Sequence, residues 1–309
     1  MFLSIIIPAY NESENIKATL QELKTALSNL VLIDDYKIIV VDDHSDDGTY
    51  DCVLAMQEAR VQCLRLSRRS GSHVALRAGL SSAQGDAALC MAADGQDDPR
   101  VFSLMLEKWV QGVHVVWALR RVRRESFWVQ AFAGLFYWTL NKLNGSPSST
   151  IDLSRADFFL LDRNVTRAIM DCQERNTSLF GLMAWLGFKQ DAVIYDRRER
   201  RKGISGWNFR TRFRLAVDWI VAFSGVPLKL MTVIGILVAA AGFLYALFII
   251  IHAFVGHPVE GWASTMVVIL VLGGLQMMML GVIGEYLWRN LDETRKRPLY
   301  FIERQTFNG

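Results

Sequence analysis

The sequence predicts an α/β protein: a mostly parallel sheet with flanking helices, followed by a two-helix transmembrane hairpin. Three observations carry that expectation. From Met1 to about Val116, short apolar runs without polar alternation are separated by helix-length segments, the pattern of parallel strands covered on both faces. Three clusters of Asp, Asn and Glu in this half each follow an apolar run, and open α/β sheets bind ligands beyond the carboxyl ends of their strands. Two later apolar runs, Leu230–Val255 and Trp262–Leu287, each exceed the roughly 20 residues needed to cross a bilayer.

The elements follow in order. Phe2–Pro8 reads as a strand, Asn15–Asn29 as a helix, Lys37–Val41 as a strand and Thr49–Ala59 as a helix. Gln62–Leu66, Ala87–Met91 and Val113–Trp117 read as strands, with helices at His73–Ala83 and Pro99–Gln111 between them. Phe127–Leu143 is apolar and aromatic but too interrupted to span a bilayer. It reads either as a helix in the membrane interface, where Trp and Tyr favour the headgroup level, or as an ordinary core helix. Trp207–Phe223, with Arg210, Arg212 and Arg214 among its apolar residues, has a similar amphipathic character.

Of the two long apolar runs, the first has no formal charge apart from a possible one on His252, and the second carries only Glu285, near its end. The linker 256–261 has no Lys or Arg, whereas both outer flanks are rich in them. The positive-inside rule then places both flanks in the cytoplasm and the linker outside. The expected organisation is a cytosolic domain over residues 1–206 and an interfacial helix and linker over 207–227. A hairpin over 228–288 and a cytosolic tail over 289–309 complete it. The chain would be a multi-pass protein of the cytoplasmic membrane with both termini inside.

The balance of 34 basic to 31 acidic residues excludes little, but the arrangement of the basic residues is informative. They cluster at Arg120–Arg124, Arg197–Lys202, Arg210–Arg214 and Arg295–Arg297, the last three beside or leading into hydrophobic segments. Headgroups and phosphate ligands fit that placement better than nucleic acid, which is not expected as a partner. Cys52, Cys63, Cys90 and Cys172 have no metal-ligand or redox spacing and suit a reducing compartment. Phe2–Ala9 is too short for a signal-peptide core and lacks a basic leader, so the first domain is expected to stay in the cytosol.

The three acidic clusters are Tyr10-Asn11-Glu12, Asp42-Asp43-His44-Ser45 and Asp94-Gly95-Gln96-Asp97-Asp98. Together they suggest a nucleotide and a hard divalent cation, since Mg²⁺ and Mn²⁺ take oxygen ligands from one or two carboxylates plus substrate phosphates. Asp94 and Gln96 lie two apart, which in extended backbone puts both on one side. The plainer alternative is that such loops are solvated or cap the next helix.

The ordered set of motifs resembles family 2 glycosyltransferases with a GT-A fold. It is most similar to the polyprenyl-phosphate glycosyltransferases of dolichol-phosphate mannose synthase and undecaprenyl-phosphate sugar transferase type. The resemblance runs from Ile5-Ile6-Ile7-Pro8-Ala9-Tyr10-Asn11-Glu12 through Val40-Val41-Asp42-Asp43-His44-Ser45 and the Asp94 cluster. It continues in Leu76-Arg77-Ala78-Gly79-Leu80, Phe158–Arg163, Gly181–Phe188, Tyr195–Arg200 and Gly203–Trp207, and ends at Gly284–Leu287 and Arg297–Tyr300. It implies that Pro8, Tyr10 and Glu12 contact base and ribose, that Asp43 bonds the base, and that Asp42 supports that loop. It further implies that Asp94 and Gln96 hold Mg²⁺ or Mn²⁺ on the donor diphosphate, with Arg120 near a donor or acceptor phosphate. Arg197, Arg200 and Ser205 would close over the site and meet the phosphates. Asp157 would help orient the acceptor or handle a proton, or would simply cap a turn.

The implied reaction is an inverting transfer of a sugar, from a UDP-sugar in first expectation, to a polyprenyl phosphate, with Asp94, Asp157 and Arg120 as the catalytic group. A homotetramer is the assembly that relatives suggest. Four departures stand out: Ala92 replaces the first acid of the usual D-x-D-x-Q, Ser154–Phe159 differs from D-x-G-D-F-R, Arg69 stands for Asn, and Gly206 for Lys. Two other readings are a glycosyltransferase with a different membrane acceptor and a catalytically impaired homologue that binds nucleotide sugar or lipid.

Overall fold

The structure, a computed structural model, describes residues 1–121, 155–172, 174–175, 177–198, 226–254 and 261–306. The expected segments 127–143 and 207–223 lie outside them. The chain divides into two compact units, one containing the sheet, its helices and the segment from Pro298, the other the two long apolar helices.

The first unit opens as the apolar pattern predicts. Strand β1 (Phe2–Ala9) leads to α1 (Ser13–Ser28), β2 (Asp35–Asp42), α2 (Thr49–Leu54), β3 (Val61–Leu66), α3 (Ser72–Ser81) and β4 (Ala87–Cys90). A short 3₁₀ turn (Pro99–Val101), α4 (Phe102–Val110) and β5 (Val115–Arg120) follow. Beyond the 122–154 segment come β6 (Ala156–Asp162), α5 (Arg163–Asp171), α6 (Leu179–Trp185) and β7 (Gln190–Tyr195); β8 (Ile302–Gln305) returns near the C-terminus.

The strands form one sheet in the order β7-β5-β6-β4-β1-β2-β3-β8. β1 pairs in parallel with β2 and β4, β2 with β3, and β5 with β7, whereas β6 and β8 run antiparallel to their neighbours. The sheet is thus mostly parallel but mixed. Antiparallel β6 separates β4 from β5, so β4 and β5 point the same way without touching as partners.

Strand alternation sends side chains to two cores. Ile5 and Ile7 pack on one face with Leu20, Leu23, Phe102 and Met105, while Ile6, Ile39 and Val41 pack on the other with Ala75, Ala78, Val165 and Leu182. All are buried, each large one contributing roughly 1.5–3 kcal/mol. α3 lies so close to the sheet that a Cβ on Gly79 would sit 2.3 Å from Ile6 Cγ2. Asp162 caps α5 by accepting the Asn164 N–H at 2.8 Å and also accepts Trp109 Nε1–H at 3.0 Å.

In the second unit, α7 (Val226–Phe254) and α8 (Trp262–Thr294) are about 43 and 50 Å long at 1.5 Å per residue. Met231–Ile251 and Val271–Thr294 are long and apolar enough to cross a membrane by length and composition. Their large apolar side chains, such as Leu237, Phe243, Leu244, Met277 and Leu280, are exposed. An apolar surface of that extent requires an apolar surrounding.

Candidate active site

The parallel run β2-β1-β4 brings the three acidic clusters to one edge of the sheet, beyond the carboxyl ends of the strands. The carboxyl ends of β5 and β7, carrying Arg120 and Tyr195, emerge at the same edge because β6 runs antiparallel to both β4 and β5, and β7 runs parallel to β5.

The first two clusters are stitched to each other. Asn11 takes a left-handed backbone (φ 55°), which Asn tolerates better than most residues, and so turns the chain from β1 into α1. Its N–H donates to Ser45 Oγ at 3.0 Å, and its Oδ1 accepts the Asp46 N–H at 3.0 Å. The Glu12 N–H donates to Thr49 Oγ1 at 3.0 Å, and the buried Glu12 carboxylate accepts Asn15 Nδ2–H at 2.7 Å. Pro8 and Tyr10 are half-buried beside them. Arg69 lays its guanidinium over the Tyr10 ring, 4.0 Å from the centroid, a cation–π contact at the predicted base-binding residue.

Asp42 is fully buried, accepts the Ser45 N–H at 3.0 Å, and pairs with Arg65 Nη1 at 2.5 Å. Burial works against the Arg65 charge, but Asp42 and then Glu303 outweigh it, so its pKa is raised. Asp43 accepts Ser70 and Gly71 N–H groups at 2.6 and 2.8 Å, one on each oxygen. Burial raises its pKa despite those hydrogen bonds and the charge of Arg69. Both aspartates therefore brace loops: Asp42 its own, Asp43 the one that starts α3.

The third cluster divides. Asp97 is buried, accepting the Ala92 N–H at 2.7 Å and Tyr195 O–H at 3.3 Å. Asp98 binds Arg100 and takes Arg198 Nη2–H at 2.7 Å. Burial would raise its pKa, but Arg100 and Arg198 hold it below the ordinary carboxylate value. Asp94 and Gln96 are instead half-buried. The Gln96 N–H turns back to Asp94 Oδ1 at 3.1 Å, across Gly95 in a left-handed conformation (φ 73°) that glycine adopts without strain.

The chain leaving β7 crosses this loop. Arg197 Nη2 donates to Gln96 Oε1 at 2.7 Å, the Arg198 N–H to Gln96 O at 3.1 Å, and Gln96 Nε2 to Arg198 O at 3.3 Å. Arg198 also pairs with Glu22 on α1. Asp94, Gln96 and Arg197, some hundred residues apart in sequence, thus lie in one small region. The backbone carbonyl of Arg120 accepts from Arg155 Nε and Nη2, at 3.2 and 2.9 Å. Arg200, Ser205 and the side chain of Asp157 lie outside the described residues.

The donor set suits a hard cation held jointly with a ligand. Asp94 offers a carboxylate and Gln96 the remaining lone pair of an amide oxygen that also accepts from Arg197, and among the described residues no group of three His, Cys, Asp or Glu could enclose an ion alone. Mg²⁺ and Mn²⁺ commonly bind through such a partial protein set, substrate phosphates completing the shell. The braces made by Asp43, Tyr195 with Asp97, and Arg198 with Asp98 were not assigned from sequence. Only the consecutive arginines after Tyr195 hinted at the last.

Residues 4–180 match the family described as Glycosyl transferase family 2, and residues 226–289 match the one described as GtrB C-terminal hairpin. The chain is 39% identical over 306 residues to an uncharacterised glycosyltransferase of Synechocystis sp., covering 97% of this chain and 94% of the relative. It is 35% identical to a prophage bactoprenol glucosyl transferase homologue of Escherichia coli, covering 98% and 99%. It is also 35% identical to the bactoprenol glucosyl transferase of Shigella phage SfV, covering 99% of each.

Proposed function

The chain belongs to glycosyl transferase family 2 and is a glycosyltransferase; from that premise we propose that it moves a sugar from a nucleotide diphosphate donor to a polyprenyl phosphate, with inversion, at the cytoplasmic membrane face. The acceptor class is supported by full-length similarity to relatives named bactoprenol glucosyl transferases and by the shared hairpin. The observation that carries the site is the meeting of Asp94, Gln96 and Arg197 at the end of β4.

In this reading an oxygen of the lipid phosphate attacks the anomeric carbon while the bond from that carbon to the nucleotide diphosphate breaks. The second pKa of a phosphate monoester is about 6, so the nucleophile is already largely anionic at neutral pH and asks little of a general base. The tasks left to the protein are orientation and charge. Tyr10 and Glu12 would hold the nucleoside end of the donor, Asp94 and Gln96 would hold the cation, and Arg197 and Arg120 would face phosphate oxygens, which guanidinium groups bind bidentately. The cation, when bound, neutralises charge on the departing diphosphate.

The lack of Lys and Arg in 256–261 beside basic outer flanks supports a hairpin with both ends in the cytoplasm, which would keep the site at the surface where the acceptor phosphate lies. Incubation of membranes with labelled nucleotide sugars, Mg²⁺ or Mn²⁺, and polyprenyl phosphate tests the proposal. A metal-dependent product labile to mild acid is expected. A stable glycolipid would point to another acceptor, and no transfer with any donor would refute the reading.

A further inference from the structure

The C-terminal strand does more than cover an edge. β8 pairs antiparallel with β3, and around it Ser67 N–H donates to Phe301 O at 2.9 Å, Cys63 N–H to Thr306 Oγ1 at 2.8 Å, and Tyr300 O–H to Ser81 Oγ at 2.7 Å. Its residues are exposed and mostly polar, so backbone pairing and polar contacts hold it more than core packing does. Glu303 is the member of β8 whose carboxylate pairs with Arg65 beside the candidate active site.

The link runs through Arg65. Its Nη1 binds the buried Asp42 at 2.5 Å, its Nη2 donates to Ser45 O at 3.1 Å, and its Nε donates to Glu303 Oε2 at 3.2 Å. A guanidinium is a rigid planar fork, so a carboxylate fixed at Nε sets the direction of both terminal nitrogens. Those nitrogens hold the two ends of the turn Asp42–Ser45, whose Ser45 hydroxyl in turn accepts the Asn11 N–H. Glu303 has a second neighbour in the same turn, His44 Nδ1 at 3.6 Å. Beside the turn lies a polar hollow of about 340 Å³ lined by Ser45, Asp46, Tyr50, Arg65 and Arg304.

We propose that Glu303 is a positioning residue: through Arg65 it sets the turn Asp42–Ser45 and, with it, the nucleotide-binding edge of the site. The proposal rests on the donor site described under the proposed function. It also gives the segment after the hairpin a role in catalysis, since the residue that orients the donor loop is supplied only after α8 is complete.

The test uses the full-length chain in detergent, with UDP and Mn²⁺ as the binding probe. Glu303→Gln keeps the shape of the side chain and removes the charge at Nε. It is expected to weaken UDP binding and raise the donor KM about fivefold to tenfold, with kcat and the acceptor KM within about twofold. Amide exchange at Ser45 and Asp46 should quicken in parallel. Thr306→Ala loosens the same strand at its far end without touching Arg65; it should lower Tm while leaving the donor KM within about twofold. Equal donor KM shifts in the two variants would reduce Glu303 to an edge brace and overturn the proposal. Unchanged exchange at Ser45 in Glu303→Gln would overturn it as well. If the wild-type chain bound no UDP, the donor reading would fail and the catalytic part of this inference with it, while the exchange rates would still decide whether Glu303 holds the loop.

Discussion

The acidic loops after β2 and β4 look alike in sequence and differ in what their carboxylates do. After β2, Asp42, Asp43 and Asp47 all accept hydrogen bonds from nearby backbone N–H groups, and Asp42 adds the Arg65 pair. After β4, buried Asp97 and Asp98 serve the same bracing purpose. Asp94 and Gln96 in that loop stay half-buried, and Gln96 meets Arg197 from beyond β7. A count of acids would rank the β2 loop as the richer ligand site. Burial reverses that order for Asp42 and Asp43, which are enclosed and hydrogen-bonded to the loops they brace, whereas Asp94 stays half-buried.

The largest effect should come from breaking the β4 side at its half-buried acid. Asp94→Ala should lower kcat/KM by about a thousandfold, with Tm within a few degrees of wild type; an assay retaining most activity would remove Asp94 from the site. The matching change on the β2 side should act on stability first. Asp42→Ala leaves Arg65 without its buried partner, and about 3 kcal/mol of unfolding free energy should be lost. Denaturant titration measures it, and a loss of activity without a loss of stability would contradict the scaffold assignment.

A smaller effect separates the bracing carboxylates of the two loops by pH. Burial raises the Asp43 pKa above 3.8, whereas Arg100 and Arg198 lower that of Asp98 below it, against the pull of its own burial. The sign follows from linkage. The contribution of Asp98 to stability is present above pH 3.8 and is lost as pH falls through its lower folded value. That of Asp43 is present below 3.8 and is lost as pH rises through its higher one. Carboxyl chemical-shift titrations should place the two midpoints on opposite sides of 3.8. Midpoints in the reverse order would overturn both causes, burial at Asp43 and the two arginines at Asp98.

Much of this fold was legible because burial on both faces leaves a simple signature. The run Ile5-Ile6-Ile7 feeds both cores, and the strand expected at Phe2–Pro8 is observed at Phe2–Ala9. Helix α2 stops at Leu54 rather than Ala59, since the chain turns through a left-handed Gln57 (φ 48°) that no local residue type announces. β8 reads Ile-Glu-Arg-Gln, a sequence without apolar alternation, because an exposed edge strand is held by its backbone. A polar tail was therefore the natural expectation for a segment that completes the sheet. At the site, the types and spacing of Asp94 and Gln96 were readable and Arg197 was expected from the resemblance, while the contacts of Arg198 with Asp98 and Glu22 depend on β7 joining β5.

In the proposed function, the cation and the donor diphosphate are held together at Asp94 and Gln96. Electron paramagnetic resonance of Mn²⁺ titrated into the full-length chain, with and without UDP, can separate that arrangement from its alternatives. Tight binding that requires UDP, lost in Asp94→Ala and kept in an Asp46→Ala control on the β2 loop, is the result expected. Mn²⁺ bound equally well by Asp94→Ala, or lost in the control instead, would place the ion elsewhere and contradict the account.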